Sequence, residues 1–158
     1  MAPSFPQRRG LYFEEFEVGQ TIHTPGRTIT ESDIVTFAGV SGDFNLIHTD
    51  SVYAATTPFG QRVAHGLLGL SIASGLAVRT GILEGTVLAF REVTEWKFSL
   101  PVFIGDTLTV ELSVTDLKPL PRLGGGAVSL QLDVHNQSGA SVMKGVWTVL
   151  VQSRPREQ

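Results

Sequence analysis

Residues 66–80 read GLLGLSIASGLAVRT, and this stretch decides the fold. Leucine, isoleucine, alanine, valine, glycine and serine occupy almost every position, which predicts a helix that is buried on all sides. The stretch is shorter than the roughly 20 apolar residues that a bilayer span requires. We therefore expect it to lie in the core of a protein that provides other elements to wrap it, and we expect no membrane association.

The segments that follow this helix have the pattern of strands. Residues 86–99, 107–117, 127–135 and 141–152 are rich in β-branched side chains and alternate between polar and apolar positions. No helical pattern separates them, so the sequence predicts an antiparallel meander on one central helix, class α+β.

The length of the chain bounds its domain organisation. At 158 residues there is room for one domain of ordinary size, which we expect to span residues 1–158. Short irregular ends are expected at residues 1–10 and 153–158.

Shorter elements are predicted ahead of the central helix. A turn leads into a first strand at residues 21–24, and Thr30 caps a helix that Gly42 ends in a left-handed conformation. A second short helix is expected at residues 51–57, stopped by Pro58.

The composition excludes several classes of function. A net charge of −3 from 15 acidic and 12 basic side chains, without charge runs, leaves no footprint for a nucleic-acid backbone. The absence of cysteine excludes disulfides, thiolate metal sites and a cysteine nucleophile. There is no nucleotide-binding glycine motif, so no redox cofactor is expected. The first residues do not have the pattern of a secretory signal, which favours a cytoplasmic location.

A carboxylate and an imidazole lie close together at Asp43 and His48. If Gly42 ends the helix, both side chains can converge from an irregular loop on one water molecule and exchange protons with it. Partial burial by Phe44, Leu46 and Ile47 is expected to shift both pKa values toward working pH.

The dipeptide His65-Gly66 opens the predicted central helix. Backbone N–H groups in a first helical turn have no partner, and a glycine lets a ligand oxygen approach its amide closely. A carbonyl could be polarised there as negative charge develops on it. The alternative is that Gly66 only permits close packing of the helix on the sheet.

A metal site built from Asp43, His48, Asp50 and His65 is the weaker interpretation. The donor set is chemically acceptable. However, no two histidines have helical spacing, and His65 follows His48 by 17 residues. We expect no metal.

Two motifs resemble those of a known family. Residues 42–50, GDFNLIHTD, followed by residues 63–67, VAHGL, resemble the MaoC-like dehydratase family, which includes the R-specific enoyl-CoA hydratases. Residues 12–19, YFEEFEVG, and residues 98–106, FSLPVFIGD, are similar to that family as well. The resemblance extends over residues 11–151.

The resemblance implies a hot-dog fold, in which an antiparallel sheet wraps a long central helix. It also assigns site residues: Asp43 and His48 as the catalytic dyad, the Gly66 amide as the oxyanion contact, and Ser74, His65 and Asn45 on the substrate side, with Asn45 holding the loop and not taking part in the chemistry. Arg62 and Arg79 are candidates for phosphate contacts by position alone.

The activity that the resemblance implies is addition of water to a trans-2-enoyl-CoA, giving an (R)-3-hydroxyacyl-CoA, or the reverse dehydration. An acyl-CoA thioesterase and a non-catalytic thioester-binding module on the same fold are the alternatives. The motifs leave open the acyl group and whether CoA or acyl-carrier protein bears it. We expect a homodimer or larger assembly, because one short sheet cannot cover so apolar a helix and the family pairs its sheets edge to edge.

Overall fold

The computed structural model describes residues 10–155, which form four α-helices and six strands. The helices are α1 (Glu31–Ser41), α2 (Leu46–Thr49), α3 (Ser51–Ala55) and α4 (Gly66–Arg79). The strands are β1 (Thr21–His23), β2 (Arg27–Thr28), β3 (Val87–Phe98), β4 (Thr107–Leu120), β5 (Gly125–His135) and β6 (Ser141–Gln152). The irregular ends predicted at 1–10 and 153–158 lie outside these residues, except for residue 10 and residues 153–155.

The local chemistry of α1 sets the direction of the chain as it enters the loop beyond. Thr30 caps the helix, since its hydroxyl accepts a hydrogen bond from the Asp33 N–H and Asp33 bonds back to the Thr30 N–H. Gly42 ends the helix with φ 77°, in the left-handed region that favours glycine. Both predictions are confirmed.

The short helices after Gly42 differ from the predicted ones. Residues 43–50 were expected to be irregular throughout, but Asn45 accepts a hydrogen bond from the Ile47 N–H and starts the single turn of α2. Helix α3 ends at residue 55, two residues before the predicted end at 57. The hydroxyls of Thr56 and Thr57 donate to main-chain carbonyls of α3 and so compete with its continuation.

All sheet neighbours are antiparallel, in the order β1-β4-β5-β6-β3, with β2 also paired to β4. The predicted meander is correct for β4, β5 and β6. It is wrong for β3, which pairs with β6 at the far edge and not with β4. Residues 99–106 carry the chain back across three inter-strand spacings, roughly 14 Å. A hydrogen bond from Ala64 N–H to the Val102 carbonyl holds this crossing against the segment that precedes α4.

Helix α4 packs against the sheet with one face. Leu68, Ile72, Ala73 and Leu76 are buried against the strands. The opposite face is open, with Leu67 60% exposed. The prediction of burial on every side is therefore wrong for the single chain, because one sheet covers one side of a helix only.

A long helix held in the curve of an antiparallel sheet is the α+β hot-dog fold that was expected. None of the helices within residues 10–155 has the length and apolar character needed to cross a membrane.

Candidate active site

Asp43 and His48 meet at the end of α1. The Asp43 carboxylate accepts a hydrogen bond from the Asn45 N–H at 3.1 Å, and the Asn45 side chain caps the turn that carries His48. These two local hydrogen bonds bring His48 Nε2 to 3.9 Å from Asp43 Oδ2. The two side chains therefore converge, as the sequence predicted.

The hydrogen bonds of His48 fix its tautomer. Its Nδ1 lies 2.7 Å from the Val63 carbonyl oxygen, and a carbonyl can only accept. The proton is therefore on Nδ1, and the Nε2 lone pair faces Asp43. At 3.9 Å the two groups are too far apart for a direct hydrogen bond, so the gap suits a water or hydroxyl that contacts both.

The environment favours the neutral imidazole. Burial lowers the pKa of His48 below 6.5 and the nearby His65 lowers it further, while the Val63 carbonyl and the Asp43 carboxylate act in the opposite direction. Of the three residues expected to bury the pair, Phe44 is 61% exposed and Leu46 is also exposed, whereas Ile47 is partly buried and lines the same cavity as His48. Val63 and His65, which precede α4, also contact the His48 ring.

His65 is the most enclosed member of the site. Its ring stacks on the His48 ring with centroids 3.8 Å apart and planes 27° apart. Its Nε2 lies 2.9 Å from the Asp43 carbonyl oxygen, so the proton is on Nε2. Phe37 of α1 lies against the same ring at 4.9 Å.

A cavity of about 540 Å³ opens beside the two histidines. Apart from His48, His65 and Gly66, its lining is mainly apolar and includes Ile47, Phe59, Leu67, Phe98, Val102 and Met143. Such a lining suits a hydrocarbon group.

Gly66 lies at the first position of α4 and lines the same cavity. Within the described residues no hydrogen bond uses its N–H, as is usual in a first helical turn. A Cβ at this position would lie 3.0 Å from Cε1 of Phe98. The close contact supports the packing explanation for this glycine, and the free N–H supports the anion-binding one.

Arg62 supports the loop of the site, and Ser74 lies elsewhere. Arg62 donates from Nε to the His48 carbonyl at 2.6 Å and from Nη1 to Glu31, so it braces the site and is not free for a phosphate. Ser74 does not line the cavity beside His48 and His65. It lines a smaller one of about 260 Å³ with Phe90 of the edge strand.

The structure brings together three of the four residues of the weaker interpretation as a metal site. Ligand atoms of Asp43, His48 and His65 lie within 4.8 Å of one another, whereas the Asp50 carboxylate caps α3 by accepting from the Tyr53 N–H. His48 Nδ1 and His65 Nε2 are already bonded to carbonyls. Stacked rings direct their remaining lone pairs along nearly parallel planes and not to a common point, so the trio fits one ion poorly. The absence of a metal stays a prediction.

Sequence reasoning missed two contributors to the site. The Val63 carbonyl orients His48, and Phe98 covers Gly66 from the edge strand. Neither carries a signal of its own, because a main-chain carbonyl has no residue type and an aromatic residue in a strand usually indicates core. Only the motif at residues 63–67 could have drawn attention to Val63.

The fold and the site together define a hot-dog protein in which an aspartate and a histidine face each other beside an apolar cavity. The family model described as "MaoC like domain" matches residues 14–135. The chain therefore belongs to the MaoC-like dehydratase family.

Known proteins of similar sequence and structure cover most of the chain. An (R)-specific enoyl-CoA hydratase of Rhodospirillum rubrum is 35% identical over 143 residues, which are 90% of this chain and 93% of that protein. Protein MaoC of Klebsiella aerogenes is 44% identical over 102 residues, 65% of this chain, but the match spans only 30% of its length. A solved structure from Archaeoglobus, named as a monoamine oxidase regulatory protein, has a TM-score of 0.87 and 36% identity, covering 94% of this chain and 98% of that one.

Proposed function

We propose that the chain adds water to the double bond of a trans-2-enoyl-CoA to give the (R)-3-hydroxyacyl-CoA, or catalyses the reverse dehydration. The observation that carries the proposal is the 3.9 Å gap between the His48 Nε2 lone pair and the Asp43 carboxylate, at the side of an apolar cavity. The name of the Rhodospirillum rubrum relative supports the substrate class and the handedness of the product.

In the hydration direction, a water molecule occupies the gap between Asp43 and His48. His48 Nε2 takes a proton from it while the water oxygen bonds to the β-carbon. The electron pair of the double bond moves toward the thioester carbonyl, and the Gly66 N–H donates to the oxygen on which charge develops. The proton returns from the Asp43–His48 pair to the α-carbon on the same face, so the net change is addition of one water.

The state of His48 suits this sequence. A base must be unprotonated before it acts, and burial lowers the pKa of His48, which keeps the imidazole neutral near neutral pH. The Nδ1–H bond to the Val63 carbonyl can strengthen as the ring gains positive charge.

The test is the absorbance of the enoyl thioester, followed with a panel of trans-2-enoyl chains and with the saturated acyl-CoA of each length. Loss of the enoyl absorbance without release of free thiol, with an (R)-product on a chiral column, is the expected result. Free CoA would indicate a thioesterase, and no turnover of any chain would indicate a binding module. The same acyl groups on CoA and on an acyl-carrier protein distinguish the carriers.

We also propose that two copies associate through strand β3. This strand is at an edge of the sheet and presents exposed apolar side chains, among them Leu88 and Phe90. A long apolar edge strand favours pairing with another chain. The open face of α4 carries Leu67 and Val78 and would gain cover from the same contact. A cytoplasmic location stays a prediction.

A further inference from the structure

We infer that His65 is a positioning residue, which holds Asp43 and His48 at their working separation, and does not bind the substrate as the sequence led us to expect. The inference rests on the proposed function for its kinetic consequences. Its structural part can be tested without any substrate.

His65 holds Asp43 through the main chain. Its Nε2–H donates to the Asp43 carbonyl at 2.9 Å, across 22 residues of sequence. The Asp43 carboxylate itself is 51% exposed, and the hydrogen bond that it accepts is a local one, from the Asn45 N–H two residues along the chain. The bond from His65 fixes the main chain from which that carboxylate extends.

His65 restrains His48 in a second direction. The Val63 carbonyl holds the His48 ring by a bond in its own plane, whereas the stacked His65 ring, at 3.8 Å, blocks tilting out of that plane. Phe37 lies 4.9 Å from His65 and supports it in turn. Together the contacts tie α1, α2 and the start of α4 to one arrangement of the pair.

His65 lines the cavity beside His48, but its nitrogens are not accessible to a substrate there. Only 3% of the residue is exposed, Nε2 is already used, and Nδ1 is buried and has no hydrogen-bond partner among residues 10–155. A buried nitrogen without a hydrogen bond is destabilising, and a phenylalanine would fill similar space without it. The contact that phenylalanine could not reproduce is the Nε2–H bond to Asp43.

Two substitutions separate the bond from the ring. His65→Gln places an amide N–H near the position of Nε2 but removes the ring, and His65→Phe keeps a ring but removes the donor. We expect each to lower kcat roughly 10- to 100-fold with KM changed far less, because a displacement of about 1 Å at reacting groups can cost that much. His23→Gln is the control, because His23 is an exposed histidine on β1, and should leave kcat unchanged.

Coupling to Asp43 distinguishes positioning from general support of the fold. If His65 acts through Asp43, His65→Phe should cost little more in an Asp43→Asn protein, whereas independent effects would multiply. A raised KM with unchanged kcat in both His65 variants would indicate substrate binding and overturn the inference. Unchanged kcat in both folded variants would overturn it as well.

Nitrogen-15 NMR of the histidines decides the matter without turnover. In the unaltered protein we expect His65 as the Nε2–H tautomer and His48 as the Nδ1–H tautomer. In His65→Phe the titration midpoint of His48 should rise, because the nearby His65 is one cause of its lowered pKa. An Nδ1–H tautomer at His65, which would remove the donor to the Asp43 carbonyl, overturns the inference. A protein that hydrates no enoyl thioester yet shows these signatures contradicts the proposed function alone.

Discussion

At the scale of single residues, the proposed function depends on proton exchange at Asp43 and His48. Asp43→Asn keeps an oxygen for the Asn45 N–H, and His48→Asn places an amide nitrogen near Nδ1, where it can still donate to the Val63 carbonyl. Each should lower turnover roughly 10²- to 10⁴-fold, because the acid/base exchange is lost while the shape is nearly kept. The enoyl absorbance assay measures the loss.

The two groups act as a unit in this mechanism, so the double variant should be little worse than either single one. Thermal melts followed by circular dichroism test whether structure is lost. The melting temperature of each variant should lie within a few degrees of that of the unaltered protein. Near-normal turnover by either folded variant would remove the mechanism, and the acid/base groups would have to be sought elsewhere in the cavity.

The titration of His48 gives a second prediction at this scale. Because its pKa is lowered from 6.5 in the free protein, the acid limb of kcat/KM against pH should have its midpoint below 6.5. Stability should follow the same group: the unfolded chain binds the proton more readily, so the contribution of His48 is present above pH 6.5 and is lost as the pH falls through the folded value. Urea unfolding across this range should show a flatter dependence in His48→Asn.

At the scale of elements, the glycine in the first turn of α4 has two explanations. A pair of substitutions can separate them. Gly66→Ala should slow turnover with little loss of stability, since alanine suits a helix but its Cβ would intrude near the N–H. The same Cβ would lie 3.0 Å from the Phe98 ring, which must move slightly. Turnover and melting temperature are measured together.

Phe98→Leu provides the matched background for that experiment. If Gly66 acts through its N–H, the alanine should cost the same factor in turnover with or without the Phe98 ring. If crowding of Phe98 is the cause, the cost should largely vanish in the Phe98→Leu protein. Full turnover of Gly66→Ala in both backgrounds would leave only the packing role.

Elements governed by local chemistry could be predicted from the sequence, as the cap at Thr30 and the left-handed stop at Gly42 illustrate. The position of β3 could not, because an alternating pattern predicts a strand without identifying its neighbour. The site was predictable where one loop carries it, at Asp43 and His48. The stack of His65 on His48 joins residues 17 apart in the chain, and spacing alone does not predict such a contact.

At the scale of the whole molecule, one sheet edge and one helix face each leave apolar side chains exposed. Within residues 10–155, no strand pairs with β3 along its outer side, and α4 exposes Leu67 and Val78. Ser74 lies between these two features, in the small cavity it shares with Phe90. A second copy paired along β3 would cover this region. Access to the site would then depend on assembly.

Leu88→Lys tests that assembly. A lysine on an edge strand opposes pairing, because it brings a charge into a contact that would otherwise bury apolar surface. We expect the unaltered protein to sediment as a dimer at micromolar concentration and the variant to sediment as a monomer. Turnover per chain should fall with the dimer fraction, and dilution of the unaltered protein should lower it in the same way.

Val18→Lys is the matched control, since Val18 is 62% exposed and precedes β1 at the opposite edge of the sheet. It adds the same charge and should change neither mass nor turnover. A sharp monomer mass for the unaltered protein would contradict the assembly while leaving the chemistry at Asp43 and His48 intact. An active Leu88→Lys monomer would show that the cavity beside His48 is complete within one chain, and that the open face of α4 has no part in catalysis.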